Sequence, residues 1–200
     1  MNTKIYALEG IVHAGKTTLL NNIRITNWDI VCVDEYTLYR GTMPFPDFPA
    51  TLEEALAANQ FFIELDARRF TDIGTSKIVL LDRSCISVIA YHYATEQITH
   101  GEIACFKPSL RLYKEQFGRY IPNVMIYLEI SLRDLIKRHE GDTGVYKPVL
   151  LEEEFNRYLM YFYENIRSFF PTLEVYKIEG TLSKEEVLKS AVEILGFAKQ

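Results

Sequence analysis

Gly10-Ile11-Val12-His13-Ala14-Gly15-Lys16-Thr17 decides how this chain is read. The stretch fits G-x-x-x-x-G-K-[ST] at each fixed position. From the chain's own residue frequencies, a chance match has odds of about 0.3%. The spacing has a physical purpose. Two glycines let the backbone curl so that successive N–H groups point at one anion. Lys16 then reaches terminal phosphates, and the Thr17 hydroxyl can ligate Mg²⁺. His13 and Ala14 lie inside the loop and Thr18 follows it, so all three join Gly10, Gly15, Lys16 and Thr17 as candidate nucleotide contacts. His13 also reads as a tolerated variable position.

The context on either side agrees. Ile5 to Leu8 is a short apolar run that ends at Glu9, and Lys16 to Ile25 reads as a helix whose positive end faces the same phosphates. Further runs rich in apolar and β-branched residues follow at Ile30 to Val33, Lys77 to Leu81 and Val124 to Leu128, with a weaker one at Glu174 to Ile178. Most are apolar on both faces, as strands covered on both sides of a parallel sheet are. Helical patterns separate them at Thr51 to Ile73, Ser84 to Thr95, Pro108 to Phe117, Leu132 to His139 and Leu151 to Phe170. A last one, Ser183 to Leu195, opens with Ser183 as N-cap and Glu186 three residues on. Alternation of this kind predicts an α/β fold, a doubly wound five-stranded parallel sheet, in a single domain over residues 1–200.

The bulk properties exclude other classes. The 200 residues are 48% hydrophobic and 24% charged, which is neither a disordered chain nor a coiled coil. The net charge of −5 argues against a nucleic-acid polymer as partner. Three scattered cysteines, Cys32, Cys85 and Cys105, read as reduced thiols in a cytoplasmic protein. No apolar run approaches a membrane span, and no signal-peptide pattern opens the chain.

Carboxylates fall where such a sheet gathers its ligands, at the C-terminal ends of the strands. Asp34-Glu35 ends the second run, and Asp82-Arg83-Ser84 ends the third. A carboxylate there can hold Mg²⁺ or take the proton of an attacking hydroxyl, and Arg83 can bind phosphate. Met43-Pro44-Phe45-Pro46-Asp47-Phe48-Pro49 is the one proline-dense stretch. It reads either as a rigid surface loop or as a flap over a substrate pocket.

Glu9-Gly10 leading into the loop, the Asp82-Arg83-Ser84 triplet and the order of elements resemble the thymidylate kinase and deoxynucleoside kinase group of P-loop kinases over nearly the whole chain. The resemblance implies ATP with Mg²⁺ and transfer of the γ-phosphoryl group to a nucleoside or a nucleoside monophosphate. It gives Lys16 and Thr17 the phosphate and metal roles, Asp82 the metal-side carboxylate and Arg83 a contact with the acceptor. Glu35 matches the base that deprotonates a 5′-hydroxyl, with Asp34 beside it as a substrate contact. Gln60 is similar to the glutamine that reads a base edge, and Arg69 (or Arg68) to the arginine on an acceptor phosphate. Arg138 is the candidate lid arginine, in a lid segment of about 133–148. The resemblance also implies a homodimer.

Two departures point to a hydroxyl acceptor. Val12 stands where thymidylate kinases place an acid, and Asp34-Glu35-Tyr36 replaces their Arg-Glu-Pro. The Asp-Arg form of the third-strand motif points back to thymidylate kinases. His139 to Gly144 lacks the arginines usual in the lid. A P-loop kinase for a non-nucleotide hydroxyl, and a nucleotide-binding protein without acceptor turnover, therefore stay open beside the nucleoside reading.

Overall fold

The computed structural model describes the chain except residues 1–2, 27–28, 72, 74–75, 143, 145 and 198–200. Five parallel strands run β1 (Lys4–Glu9), β2 (Val31–Val33), β3 (Ile78–Asp82), β4 (Val124–Glu129) and β5 (Glu174–Glu179). They lie in the order β2-β3-β1-β4-β5. The order follows from burial. From Ile5 onward β1 is wholly buried, and it pairs with both β3 and β4. At one edge β5 alternates, with Ile178 buried and Glu174, Tyr176 and Lys177 exposed. That polar face explains why it is the weakest of the five as a sequence pattern.

The helices are α1 (Lys16–Ile25), α2 (Leu52–Thr71), α3 (Cys85–Ile98), α4 (Phe106–Phe117), α5 (Leu132–His139), α6 (Glu153–Glu164) and α7 (Lys184–Ile194). α7 begins at the cap expected of it, Ser183, and α3 is capped by Ser84. Ser84 Oγ accepts from Ile86 N, and Ser183 forms a full capping box with Glu186. Asp72, within the expected second helix, and Thr143 and Val145 of the lid lie outside the described residues. The expected helix over Leu151 to Phe170 is divided. Pro148–Leu151 forms a 3-10 turn, α6 follows and ends at Asn165, and a second 3-10 turn covers Ile166–Ser168. The apolar residues after Asn165 keep a near-helical spacing, and Ile166 and Phe170 stay buried. Tertiary packing therefore satisfies them without a continuous helix.

The core lies on both faces of the sheet. Tyr113, Tyr127, Tyr163, Phe155 and Phe162 are among its largest fully buried side chains. Part of the aromatic second half thus packs the interior, with Tyr127 and Tyr163 stacked 5.2 Å apart, while Tyr161 and Tyr176 are exposed. Among the described residues no helix is long and apolar enough to cross a membrane.

Candidate functional site

The loop after β1 turns where only glycine fits. Gly10 has φ 140°, and a Cβ there would stand 2.5 Å from the Leu128 carbonyl oxygen. Gly15, at φ 98°, is the left-handed N-cap of α1. Lys16 lies buried inside the curl, donating from Nζ to Gly10 O (3.0 Å) and Ile11 O (2.8 Å). Burial, followed by repulsion from Arg83, pulls its ammonium down to about 7, against the attraction of Asp82, Glu35 and Glu9. Polyphosphate oxygens in place of the two carbonyls would hold the charged form.

Thr17 Oγ1 donates to Asp82 Oδ2 at 2.5 Å. Asp82 Oδ1 is buried without a hydrogen-bond partner. Burial raises the Asp82 carboxyl, opposed chiefly by the Lys16 charge. A hydroxyl and a half-satisfied carboxylate side by side form a hard-oxygen set that suits Mg²⁺, which keeps most of its shell for water and phosphate oxygens. Among the described residues no group of three or more His, Cys, Asp or Glu forms a metal cage.

Arg83 sits immediately past β3 in a left-handed conformation, φ 62°, rare for a side chain of this size. Its Nε donates to Glu35 Oε1 at 3.0 Å, and Nη1 reaches Gly10 O at 3.2 Å. Its carbonyl and that of Asp82 both accept from Arg69 Nη2 at 2.9 Å. Glu9, fully buried at the end of β1, accepts from Ser84 N (2.8 Å), Ser84 Oγ (2.6 Å), Ser87 Oγ and Tyr163 OH. Burial raises its carboxyl, while the serine bonds and the charges of Arg83 and Lys16 oppose the rise. Glu9 is thus a buried anchor that sets the start of α3, a role its place in the sequence motif did not reveal.

Two cavities meet at this point. The larger, about 700 Å³, extends from Val12 to Leu19 and past Arg138 to Gly180, Leu182 and Lys184. The smaller, about 190 Å³, is walled by Phe45, Phe62, Val88, Tyr91 and Leu159. Val12, Glu35, Arg83 and Leu150 line both. From the proline-dense stretch, Phe45, Pro46 and Asp47 line the smaller cavity. Phe45 stacks on Phe62 with centroids 5.8 Å apart, and Lys147 pairs with Asp47 from the lid side. Arg138 holds the lid to the loop, donating to His13 O (2.8 Å) and Gly180 O (2.6 Å). The His13 ring lies against His139 and Tyr146 and faces Asp142, so it joins loop to lid. Thr18 lines the larger cavity.

Three expected substrate contacts are corrected. Arg69 is fully buried, and its guanidinium is consumed by the protein: Asp66 Oδ1 (2.9 Å), Asp34 O (3.1 Å), the two strand-end carbonyls and the Tyr36 ring. It is a positioning residue. Asp34 lines neither cavity and pairs with Arg24 of α1 at 2.7 Å. Gln60 also lies outside both, its Nε2 3.5 Å from Glu64 Oε1. The helical period explains this. The cavity-facing stripe of α2 is Ala58 and Phe62, and a residue two positions from Ala58 sits about 200° around the helix.

Residues that the sequence reading missed are Tyr91, His92 and Asn156, all lining the smaller cavity. Asn156 left one signal. It shares a face with Leu159 and Tyr163 at i+3 and i+7, a polar residue inside an apolar stripe.

No protein-family model matches the chain, and no curated protein matches it. Solved structures do. Deoxyadenosine kinase from M. mycoides with bound dATP superposes with TM-score 0.67 at 16% identity, covering 96% of this chain and 99% of that one. The same kinase with products dCMP and dCDP gives 0.71 at 13% identity, covering 97% and 100%. Thymidylate kinase from Candida albicans gives 0.67 at 16%, covering 98% and 92%. The chain shares the fold of these kinases over nearly its full length.

Proposed function

We propose that this protein is an ATP-dependent kinase that transfers the γ-phosphoryl group to a nucleoside or nucleoside monophosphate. One observation carries the reading: a phosphate-loop cavity and an aromatic cavity share Glu35 and Arg83 at their junction. A donor in one and an acceptor in the other would meet there, and transfer by positioning and charge neutralisation needs that arrangement.

In this reading Lys16 exchanges its two backbone carbonyls for phosphate oxygens. Thr17 and Asp82 hold Mg²⁺, which would neutralise charge on the phosphates during transfer. Glu35 takes the acceptor's hydroxyl proton, and Arg83, 3.0 Å away, orients it and offsets its charge. Arg138 stands at the lid edge of the donor cavity. A hydroxyl acceptor is favoured over a phosphate, because Arg83 and Lys147, the Arg and Lys lining the acceptor cavity, are already paired with Glu35 and Asp47. Unpaired cysteines and an acidic balance suit a cytoplasmic enzyme acting on small molecules, and a homodimer belongs to the same proposal.

The test is ADP release from ATP·Mg²⁺ with a panel of nucleosides, nucleoside monophosphates and simple sugars, using Lys16→Ala as control. Stimulation by one nucleoside or monophosphate class, lost in the variant, is the expected result. Stimulation by a sugar alone moves the assignment to a non-nucleotide hydroxyl. A flat panel despite ATP binding refutes acceptor turnover.

A further inference from the structure

The smaller cavity is apolar on its walls, yet Asn156 and His92 line it while each is only 1% exposed. The Asn156 amide can stand only one way round. Its Nδ2 donates to Leu150 O and to Glu152 O, both at 2.9 Å. Turned over, the amide would set an oxygen against two carbonyl oxygens, neither of which has a proton to give. Oδ1 is therefore the atom left over. It is buried and has no hydrogen-bond partner. Native proteins rarely leave a buried acceptor in that state, and those that do call for a reason.

His92 is held through Nδ1 by Ser109 Oγ, and burial keeps its imidazole neutral. His92 and Asn156 are thus both uncharged. The wall is aromatic, with Phe45, Phe62 and Tyr91 contributing rings. A flat, neutral heterocycle with an N–H on its edge satisfies both features at once. Its faces meet rings, and its N–H finds the unpartnered Asn156 Oδ1.

We propose that Asn156 determines acceptor specificity by receiving, on Oδ1, a hydrogen bond from a nucleobase N–H. The proposal rests on the nucleoside-kinase reading. It moves base recognition from α2, where Gln60 faces away from the cavity, to the first turn of α6. Because Nδ2 is anchored twice, the orientation of the amide is set before a base arrives.

The experiment compares acceptors that differ by one donor. Deoxyadenosine is paired with purine deoxyriboside, deoxycytidine with the pyrimidin-2-one deoxyriboside, and thymidine with N3-methylthymidine. Steady-state kcat and KM are measured for wild type and Asn156→Leu. For the preferred nucleoside, wild type should lose about 10- to 100-fold in kcat/KM on the donor-less partner, mostly through KM. Asn156→Leu should bring the two members of the pair within about 3-fold, with ATP affinity measured without acceptor unchanged. Asn156→Ala replaces the leucine variant if that variant does not fold. A merely structural Asn156 would lower Tm and leave the ratio intact. A wild-type ratio near one, or a ratio preserved in the leucine or alanine variant, overturns the inference while the kinase stands. No ADP release with any nucleoside overturns the kinase reading and this inference with it.

Discussion

Arg69→Met tests the claim that a buried arginine, and not the strands alone, sets the site. The guanidinium ties Asp66 on its own helix to the carbonyls of Asp34, Asp82 and Arg83, so it joins the ends of β2 and β3 behind Glu35 and Asp82. Removing it leaves the Asp66 carboxylate buried with only Tyr36 OH (3.1 Å) and Tyr113 OH (3.4 Å) as donors. Breaking a buried pair on one side costs about 3–5 kcal/mol, and orphaned carbonyls add to it, so we expect a loss of about 5 kcal/mol. At 2–4 °C per kcal/mol for a domain of this size, Tm should fall by about 10–20 °C in a thermal melt. Burial already raises the Asp66 carboxyl, with Arg69 opposing that rise. Without Arg69 the folded-state value climbs further above the unfolded one. The variant should therefore regain stability as pH falls towards the ordinary carboxylate range. Arg69→Met combined with Asp66→Asn removes the stranded charge and keeps an oxygen for the tyrosines, so it should recover about half the loss. A Tm drop below about 3 °C, or a double variant no more stable than the single, would refute the reasoning.

Other outcomes follow from the same geometry. His92 is buried and neutral, lowered to about 4 from an ordinary 6.5, so below pH 6.5 the unfolded chain binds a proton that the folded one refuses. Stability should fall as pH drops from 6.5 to 4, by up to about 3 kcal/mol, and His92→Gln should flatten that slope in denaturant titrations across the window. Asp82→Asn should abolish Mg²⁺-dependent ADP release while the protein still melts near the wild-type temperature, since Asp82 Oδ1 carries no internal bond to lose; unchanged metal dependence would remove Asp82 from the metal role. Lys147→Ala frees the cover at Asp47, which is almost fully exposed, so it should leave Tm nearly unchanged. It should raise the acceptor KM several-fold with kcat little altered, and an equal fall in kcat would place Lys147 in the chemistry instead.

The phosphate loop, the parallel sheet and the strand-end carboxylates were legible in the residue order because each depends on local spacing. Glycine spacing sets the curl around Lys16, two-sided apolar runs mark buried strands, and the cap at Ser183 marks a helix start. Glu35 and Asp82 were legible for the same reason, as carboxylates at the ends of such runs. What each side chain faces is a different matter. Gln60 and Ala58 are two residues apart on one helix, yet only Ala58 lines a cavity, because helical phase becomes meaningful only once a neighbour covers one face. Arg69 looked like a hand for the substrate until three carbonyls and Asp66, brought together from two strand ends and a helix, engaged all three of its guanidinium nitrogens. Asn156 became a candidate only when the backbone of residues 150 and 152 took its amide hydrogens and left its oxygen without a partner. Hydrogen-bond satisfaction and burial are sums over groups distant in the chain, so the tertiary structure alone could say which polar residues are spent on the fold and which are left for a ligand.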